Sequence, residues 1–284
     1  MISKEFDFFA PVDEAGVLAL LDKYGAGATI LASGMSLLPA MNLGLVEPER
    51  LISLNHVAGL DSAAEQDRGL RLGAMLRHEQ VARSPLIQRW CPALSTAASL
   101  IGDVQVRHRG TLGGSVAHAD PAADYPPVLV AVGAAVRLRS VRGERSVPAD
   151  EFFLDLMLTS RKPSELLTEI TVPKAAPTAR SAYVRFVRVE GSFPIVNAAA
   201  LVDPATSSIR VGLGGAGRRP VLIELTEDLS GGLTERALAR LAEATHAVSA
   251  EAYGDLHADP EYRRAMARVF AQRAVKAALN GAPR

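Results

Sequence analysis

Cysteine is almost missing from this chain: Cys91 stands alone among 284 residues. One thiol closes no internal disulfide, and by itself it holds neither an iron–sulfur cluster nor a structural zinc ion. Between Trp90 and Pro92, on a predicted helix, it reads as a buried small hydrophobe. An excess of either charge is missing too, since 31 Lys and Arg balance 31 Asp and Glu. Nucleic-acid binders usually carry a basic excess or stripe, so that class is set aside. No apolar run reaches the length of a membrane span, and "MISKEFDFFAPVDEAG" lacks the apolar core of a secretory signal. A cytoplasmic protein with no membrane span is expected. Also lacking is any convincing nucleophile–histidine pairing, which argues against a hydrolase.

Hydrophobic residues make up 48% of the sequence, enough to bury a substantial core without disulfides. The length allows one large or two ordinary domains. "PVDEAGVLALLDKYG" predicts a helix that stops at Gly25, and "ATILAS" a short strand running to Gly34. Strands are also expected at "PERLISL" and "GLRLGAM". "HEQVARSPLIQRWCPALSTAASLIG" reads as helix divided by Pro85 and Pro92. A short helix at "PPVLVAVGA", a hairpin around Arg142-Gly143 and a strand at "ELLTEITVP" complete the first half. Residues 174–181, "KAAPTARS", form the candidate linker. Beyond it come strands at "AYVRFVRV", "PIVNAAALV" and "SSIRVGLGGAG", then helices at "TERALARLAEATHAVS" and "PEYRRAMARVFAQRAVKAALNG". Strands and helices mix without regular βαβ alternation, so the fold class is α+β.

Two loops carry the chemistry. Ala32, Ser33, Gly34, Met35 and Ser36 follow the first buried strand. Small residues let backbone approach a ligand, glycine permits positive φ, and the curled amides with the Ser36 hydroxyl suit a phosphate. An ordinary strand-to-helix turn is the plainer reading. The second loop lies in "IGDVQVRHRGTLGGSVAHADPAADYPPV". Thr111 and Ser115 offer hydroxyls on either side of Gly113-Gly114, which can expose consecutive amides, and Asp120 and Asp124 lie beyond. A carboxylate repels phosphate but accepts well from sugar or ribityl hydroxyls. One ligand with both a pyrophosphate and a polyol explains both features; turn and helix-cap roles for the two aspartates are the alternative. "GLGGAGRRP" is a third Gly-rich stretch, read first as a hairpin or bulge between strands.

"LASGMSLLPAM" and "IGDVQVRHRGTLGGSVAHADPAADYP" together resemble the FAD-binding medium subunits of molybdenum hydroxylases, the carbon monoxide dehydrogenase flavoprotein and xanthine dehydrogenase family. "DLHADPEYRRAMARVFAQRAVKAA" is similar to the helix that closes the family's C-terminal domain, so the resemblance covers essentially the whole chain. It implies a two-subdomain FAD-binding domain of the PCMH (vanillyl-alcohol-oxidase) type over residues 1–175. A smaller α+β C-terminal domain with terminal helices would then occupy residues 180–284. FAD would be bound non-covalently by Ala32, Ser33, Gly34, Met35, Ser36 and Leu37 on one side. Gly110, Thr111, Leu112, Gly113, Gly114 and Ser115 would hold it from the other. His118 would lie near the ribityl chain, Asp124 on its hydroxyls, and Phe193 over the isoalloxazine. Three positions depart from the family pattern: Ser33 replaces a glycine, Met35 a polar residue, and Ser192 an aspartate, with Val189 where a basic residue is common.

The resemblance further implies an electron-transfer subunit with no catalytic acid, base or metal ligand of its own. Molybdopterin would sit on a large partner subunit and [2Fe-2S] clusters on a small one, in a dimer of heterotrimers. Two other readings remain open on the sequence: a stand-alone flavin oxidase of the same fold, and a non-catalytic nucleotide-binding assembly protein.

Overall fold

A computed structural model describes residues 4–280. The chain opens with β1 (Asp7–Phe9), then α1 (Glu14–Tyr24), which Asp13 caps by accepting from the Gly16 amide at 2.8 Å and Gly25 ends at φ 50°. Next come β2 (Thr29–Leu31), α2 (Leu37–Asn42) and β3 (Arg50–Ser53). The three strands form a parallel sheet in the order β1-β3-β2. Val17 and Leu21 of α1 pack under it with Ile52 and Leu54.

β4 (Ala63–Gln66) and β5 (Gly69–Gly73) lead into a helical stretch. The predicted long helix is three: α3 (His78–Arg83), α4 (Pro85–Trp90) and α5 (Pro92–Leu100). Both breaks fall at the prolines, each of which takes the first position of the following helix, where no amide donor is needed. α6 (Val104–Arg109), α7 (Leu112–His118) and α8 (Tyr125–Ala131) follow. β6 (Ala135–Ser140) and β7 (Gly143–Pro148) form the hairpin expected at Gly143. A single turn, α9 (Ala149–Phe152), leads into the small hairpin β8 (Phe153–Asp155) and β9 (Leu158–Thr159). β10 (Leu166–Pro173) completes an antiparallel sheet of order β4-β5-β10-β6-β7.

The second half is one antiparallel sheet, β11 (Arg180–Phe186), β12 (Val196–Asp203), β13 (Ser208–Gly214) and β14 (Val221–Thr226), in sequential order. α10 (Glu235–Val248) and α11 (Pro260–Asn280) cover one face, and α8 of the first half packs on the other. That double cover explains the run "VNAAALVD" in β12. Ala198 and Ala200 face the helices while Ala199 joins the core of the first half, so no polar alternation is possible. At Gly212 the two halves meet so closely that a Cβ would stand 1.9 Å from the Pro127 carbonyl oxygen. "GLGGAGRRP" is therefore a strand end and hairpin connection shaped by packing against α8.

Among the described residues, no helix is long and apolar enough to cross a membrane, and no cluster of His, Cys, Asp and Glu could hold a metal ion.

Candidate functional site

A cavity of about 740 Å³ lies where the first sheet, the second sheet and the C-terminal half converge. Its walls include Ala32, Ser33, Gly34, Met35, Ser36 and Leu37, and, from the other side, Gly110, Thr111, Gly113, Gly114, Ser115 and His118. Asp120, Asp124 and Phe193 also line it. Fourteen of the fifteen residues that the resemblance assigns to FAD are thus brought together, with Asp120 beside them; Leu112 is not. It is fully buried and packs in the main core with Val116, one helical turn on.

In the first loop the glycine takes the positive φ that its residue type allows. Gly34 has φ 81°, and a Cβ there would collide with Leu38 at 2.6 Å. Ser33 stays out of the positive-φ region, so its Cβ is tolerated. Along residues 33–37 no amide finds a backbone acceptor, although Leu38 donates to the Gly34 carbonyl at 3.0 Å. Ser33 and Gly34 are buried while Met35 and Ser36 are exposed, and all five residues line the cavity, so amides left without an acceptor there offer a place for acceptor oxygens.

The second loop differs. It is the first turn of α7, and its amides are already in use. Leu112 donates to the Leu76 carbonyl at 2.9 Å and Gly113 to that of Ala74 at 2.8 Å. Gly114 donates to Thr111 Oγ1 at 3.2 Å, an N-cap bond. The glycines serve close approach: a Cβ on Gly113 would lie 2.5 Å from Ala74 Cβ, and one on Gly114 3.3 Å from Ala32 Cβ. Thr111, Gly114, Ser115 and His118 recur at helical spacing, which presents them to the cavity while Leu112 and Val116 turn to the core.

Asp124 occupies the N-cap position of α8 but makes no capping bond. Instead its Oδ1 accepts from the Tyr183 hydroxyl at 2.5 Å and from Arg185 Nη1 at 3.5 Å, both on β11. The Tyr183 hydroxyl accepts in turn from Asn197 Nδ2 at 3.0 Å, and Asn197 also donates to the Ala123 carbonyl at 3.0 Å. Burial pushes the Asp124 carboxyl up to about 6, against the pull of Tyr183 and Arg185. His78, also on the wall, has Nδ1 2.9 Å from the Tyr125 hydroxyl. Burial, with Arg77 and Arg107 nearby, lowers its pKa to about 4 and keeps the ring neutral at pH 7. Asp120 Oδ1 accepts from the Ala122 amide at 2.8 Å, so the turn role read from the sequence holds while the residue still faces the cavity.

Cys91 is buried in the main core, where burial raises its thiol to about 11, and it does not touch the cavity. His108 is exposed and also lies outside the lining. Phe193 reaches the lining with 62% of its surface exposed, at an open end of the site; Val189 nearby is exposed at 68%. Sequence reasoning missed His78, Tyr183, Arg185, Asn197 and Arg161. The partners of Asp124 sit 59 to 61 residues away in the chain, and no local spacing signals such contacts.

The residues fit FAD. Free amides over residues 33–37 suit a pyrophosphate, Gly34 at positive φ lets the loop curl there, and a carboxylate lies where hydroxyls can donate. Residues 4–175 match the family model described as the FAD binding domain in molybdopterin dehydrogenase. Residues 181–278 match the CO dehydrogenase flavoprotein C-terminal domain. The carbon monoxide dehydrogenase medium chain of Hydrogenophaga pseudoflava is 35% identical over 283 residues, covering 98% of both chains. The nicotine 6-hydroxylase medium subunit of Paenarthrobacter nicotinovorans is 33% identical, covering 87% of this chain and 88% of that one. Among solved structures, a carbon monoxide dehydrogenase chain from Hydrogenophaga pseudoflava superposes with a TM-score of 0.91 at 34% identity, over 100% of both chains. One from quinoline 2-oxidoreductase of Pseudomonas putida 86 gives 0.86 at 27% identity, over 99% of both.

Proposed function

The chain belongs to the FAD-binding medium subunits of molybdenum hydroxylases, and on that premise we propose that it holds one FAD non-covalently and passes electrons from an iron–sulfur partner to an external acceptor. Bound flavin accepts electrons in pairs and can release them singly, so the cofactor supplies the redox chemistry. The chain supplies binding, orientation and shielding. Amides of residues 33–37 hold the pyrophosphate with the Ser36 hydroxyl beside them. Asp124 takes hydroxyls of the ribityl chain while Tyr183 and Arg185 fix its position. Phe193 covers the ring at the open end, with Ile101 on the same wall.

One observation carries this reading: the row of amides without acceptors at residues 33–37, inside a cavity that also offers Asp124. Of the three side chains that could attach a flavin covalently, Cys91 is sealed in the core and His108 lies outside the cavity lining, which supports non-covalent attachment, while His118 lines the cavity and is read as a neighbour of the ribityl chain. The division into a cofactor domain over residues 1–175 and a C-terminal domain over residues 180–284 belongs to the same proposal. So do a cytoplasmic location and assembly with a large molybdopterin subunit and a small [2Fe-2S] subunit as a dimer of heterotrimers. The shared names of the relatives, medium chain and medium subunit, support the assembly.

Expression with and without the two partner subunits tests the proposal. The complete assembly should copurify, and substrate should bleach the flavin absorbance only when all three chains are present. Substrate turnover by the isolated chain would point instead to a self-contained oxidase.

A further inference from the structure

The cavity contains one fixed cation. Arg161 is the single Arg or Lys lining it among the described residues. It comes from the turn before β10, in "TSRKPSE", a stretch with no motif of its own. Its Nη1 donates to the carbonyls of Lys162 at 3.1 Å and Glu165 at 2.8 Å, which holds the plane of the guanidinium at the wall. The adjacent carboxylate is already committed, because Glu165 accepts from Arg145 through both oxygens, at 2.7 and 2.8 Å. Arg161 forms no ion pair of its own among the described residues, and burial lowers its pKa. The Glu165 carboxylate, shared with Arg145, offsets that burial only in part, and a partly desolvated guanidinium gains from a further anionic partner in the site.

Its surroundings indicate which part of the cofactor that is. Leu166, next to Glu165, packs with Leu54 and Met75 in the cluster under the first sheet, and all three line the cavity. Phe193 belongs to another stretch of wall, where Gly191 approaches the Gly102 carbonyl. The amides of residues 33–37 take the pyrophosphate, and the flavin ring lies toward Phe193. The wall carrying Arg161 is then left for the adenosine and the phosphate at its end of the pyrophosphate. On the FAD reading above, we propose that Arg161 binds the adenylate half of FAD, offering a charge to the adenosine phosphate and a flat face to the purine, and so makes the site select FAD over FMN. A guanidinium suits both tasks: it matches phosphate geometry and stacks on aromatic rings and bases, whereas an ammonium supplies only a point charge.

Titration of the full-length apoprotein with FAD, FMN and AMP tests this. The unaltered chain should bind FAD more tightly than FMN, and AMP should compete with FAD. In Arg161→Met the FAD affinity should fall by roughly 10- to 100-fold, as for loss of a charge-assisted contact. FMN affinity should stay the same and AMP competition should vanish. Arg161→Lys should recover only part of the loss, and it carries the test if the methionine variant fails to fold. An equal fall for FAD and FMN, or no fall for FAD, would overturn the assignment. Failure of the unaltered chain to bind FAD would instead remove the cofactor reading itself, and the role of Arg161 with it.

Discussion

Tyr183 donates its hydroxyl to Asp124 Oδ1 at 2.5 Å, and through that bond the C-terminal sheet positions a side chain of the cofactor cavity. The same hydroxyl accepts from Asn197, which also holds the Ala123 carbonyl. The two halves of the chain therefore share one buried polar network, and the site is complete only when both are folded.

Replacing Tyr183 by Phe removes the donor to Asp124 and leaves Asn197 short of an acceptor. Loss of such buried bonds should cost about 1–3 kcal/mol of stability, read by urea denaturation, and should weaken FAD binding. Unchanged FAD affinity in a destabilised Tyr183→Phe protein would show that the network is structural only.

The pH dependence of apoprotein stability should be shallow between about pH 4 and 6, because two buried groups oppose each other. Asp124, raised to about 6, binds a proton in the folded state that the unfolded chain has already released. Its contribution therefore falls as pH rises through this window. His78, lowered to about 4, stays neutral in the folded state while the unfolded chain is protonated, so its contribution rises with pH. Each effect is on the order of 3 kcal/mol across its range. Asp124→Asn removes the first and keeps an acceptor for Tyr183. That variant should gain stability steadily from pH 4 to 6.5 and exceed the parent at pH 7 without FAD, while binding FAD less well. Thermal unfolding across pH, with and without FAD, checks both signs.

Gly34→Ala forces a Cβ onto Leu38 at a backbone φ of 81°. The strain should cost roughly 1–3 kcal/mol and turn the amides of residues 33–37 away from the cavity. FAD affinity should drop well beyond the stability loss; retained affinity would mean that this loop does not hold the phosphates.

Arg263 is buried on α11, where it donates to the carbonyls of Ile195 and Gly215 and pairs with Asp255. Arg263→Met leaves the Ile195 and Gly215 carbonyls without this donor and should cost about 1–3 kcal/mol. The damage should centre on the C-terminal sheet, visible as lost amide protection in α11 and β12 by hydrogen exchange. Protection lost first in the first half would contradict this.

Local signals were readable where one residue type performs one backbone task. Proline at 85 and 92 divided the helices, and Gly25 ended α1. The first loop was readable because only glycine supports its φ at position 34. The second loop was misread: "TLGG" suggested an open ring of amides, whereas Thr111 caps a helix and the glycines let it press on Ala74. The spacing from Thr111 to Gly114 was the available cue for a cap. β14 escaped notice because it is an edge strand with one fully buried residue, Ile223. Arg161 carried no sequence signal at all, since its importance comes from being the one Arg or Lys, among the described residues, that lines a cavity the sequence does not reveal.

The most direct test is equilibrium titration of the full-length apoprotein with FAD, followed by acid precipitation. One FAD should bind per chain, with a perturbed flavin spectrum, and all of it should pass into the supernatant on precipitation. Absence of binding to the folded chain, or flavin that stays with the precipitate, would contradict a non-covalent FAD site.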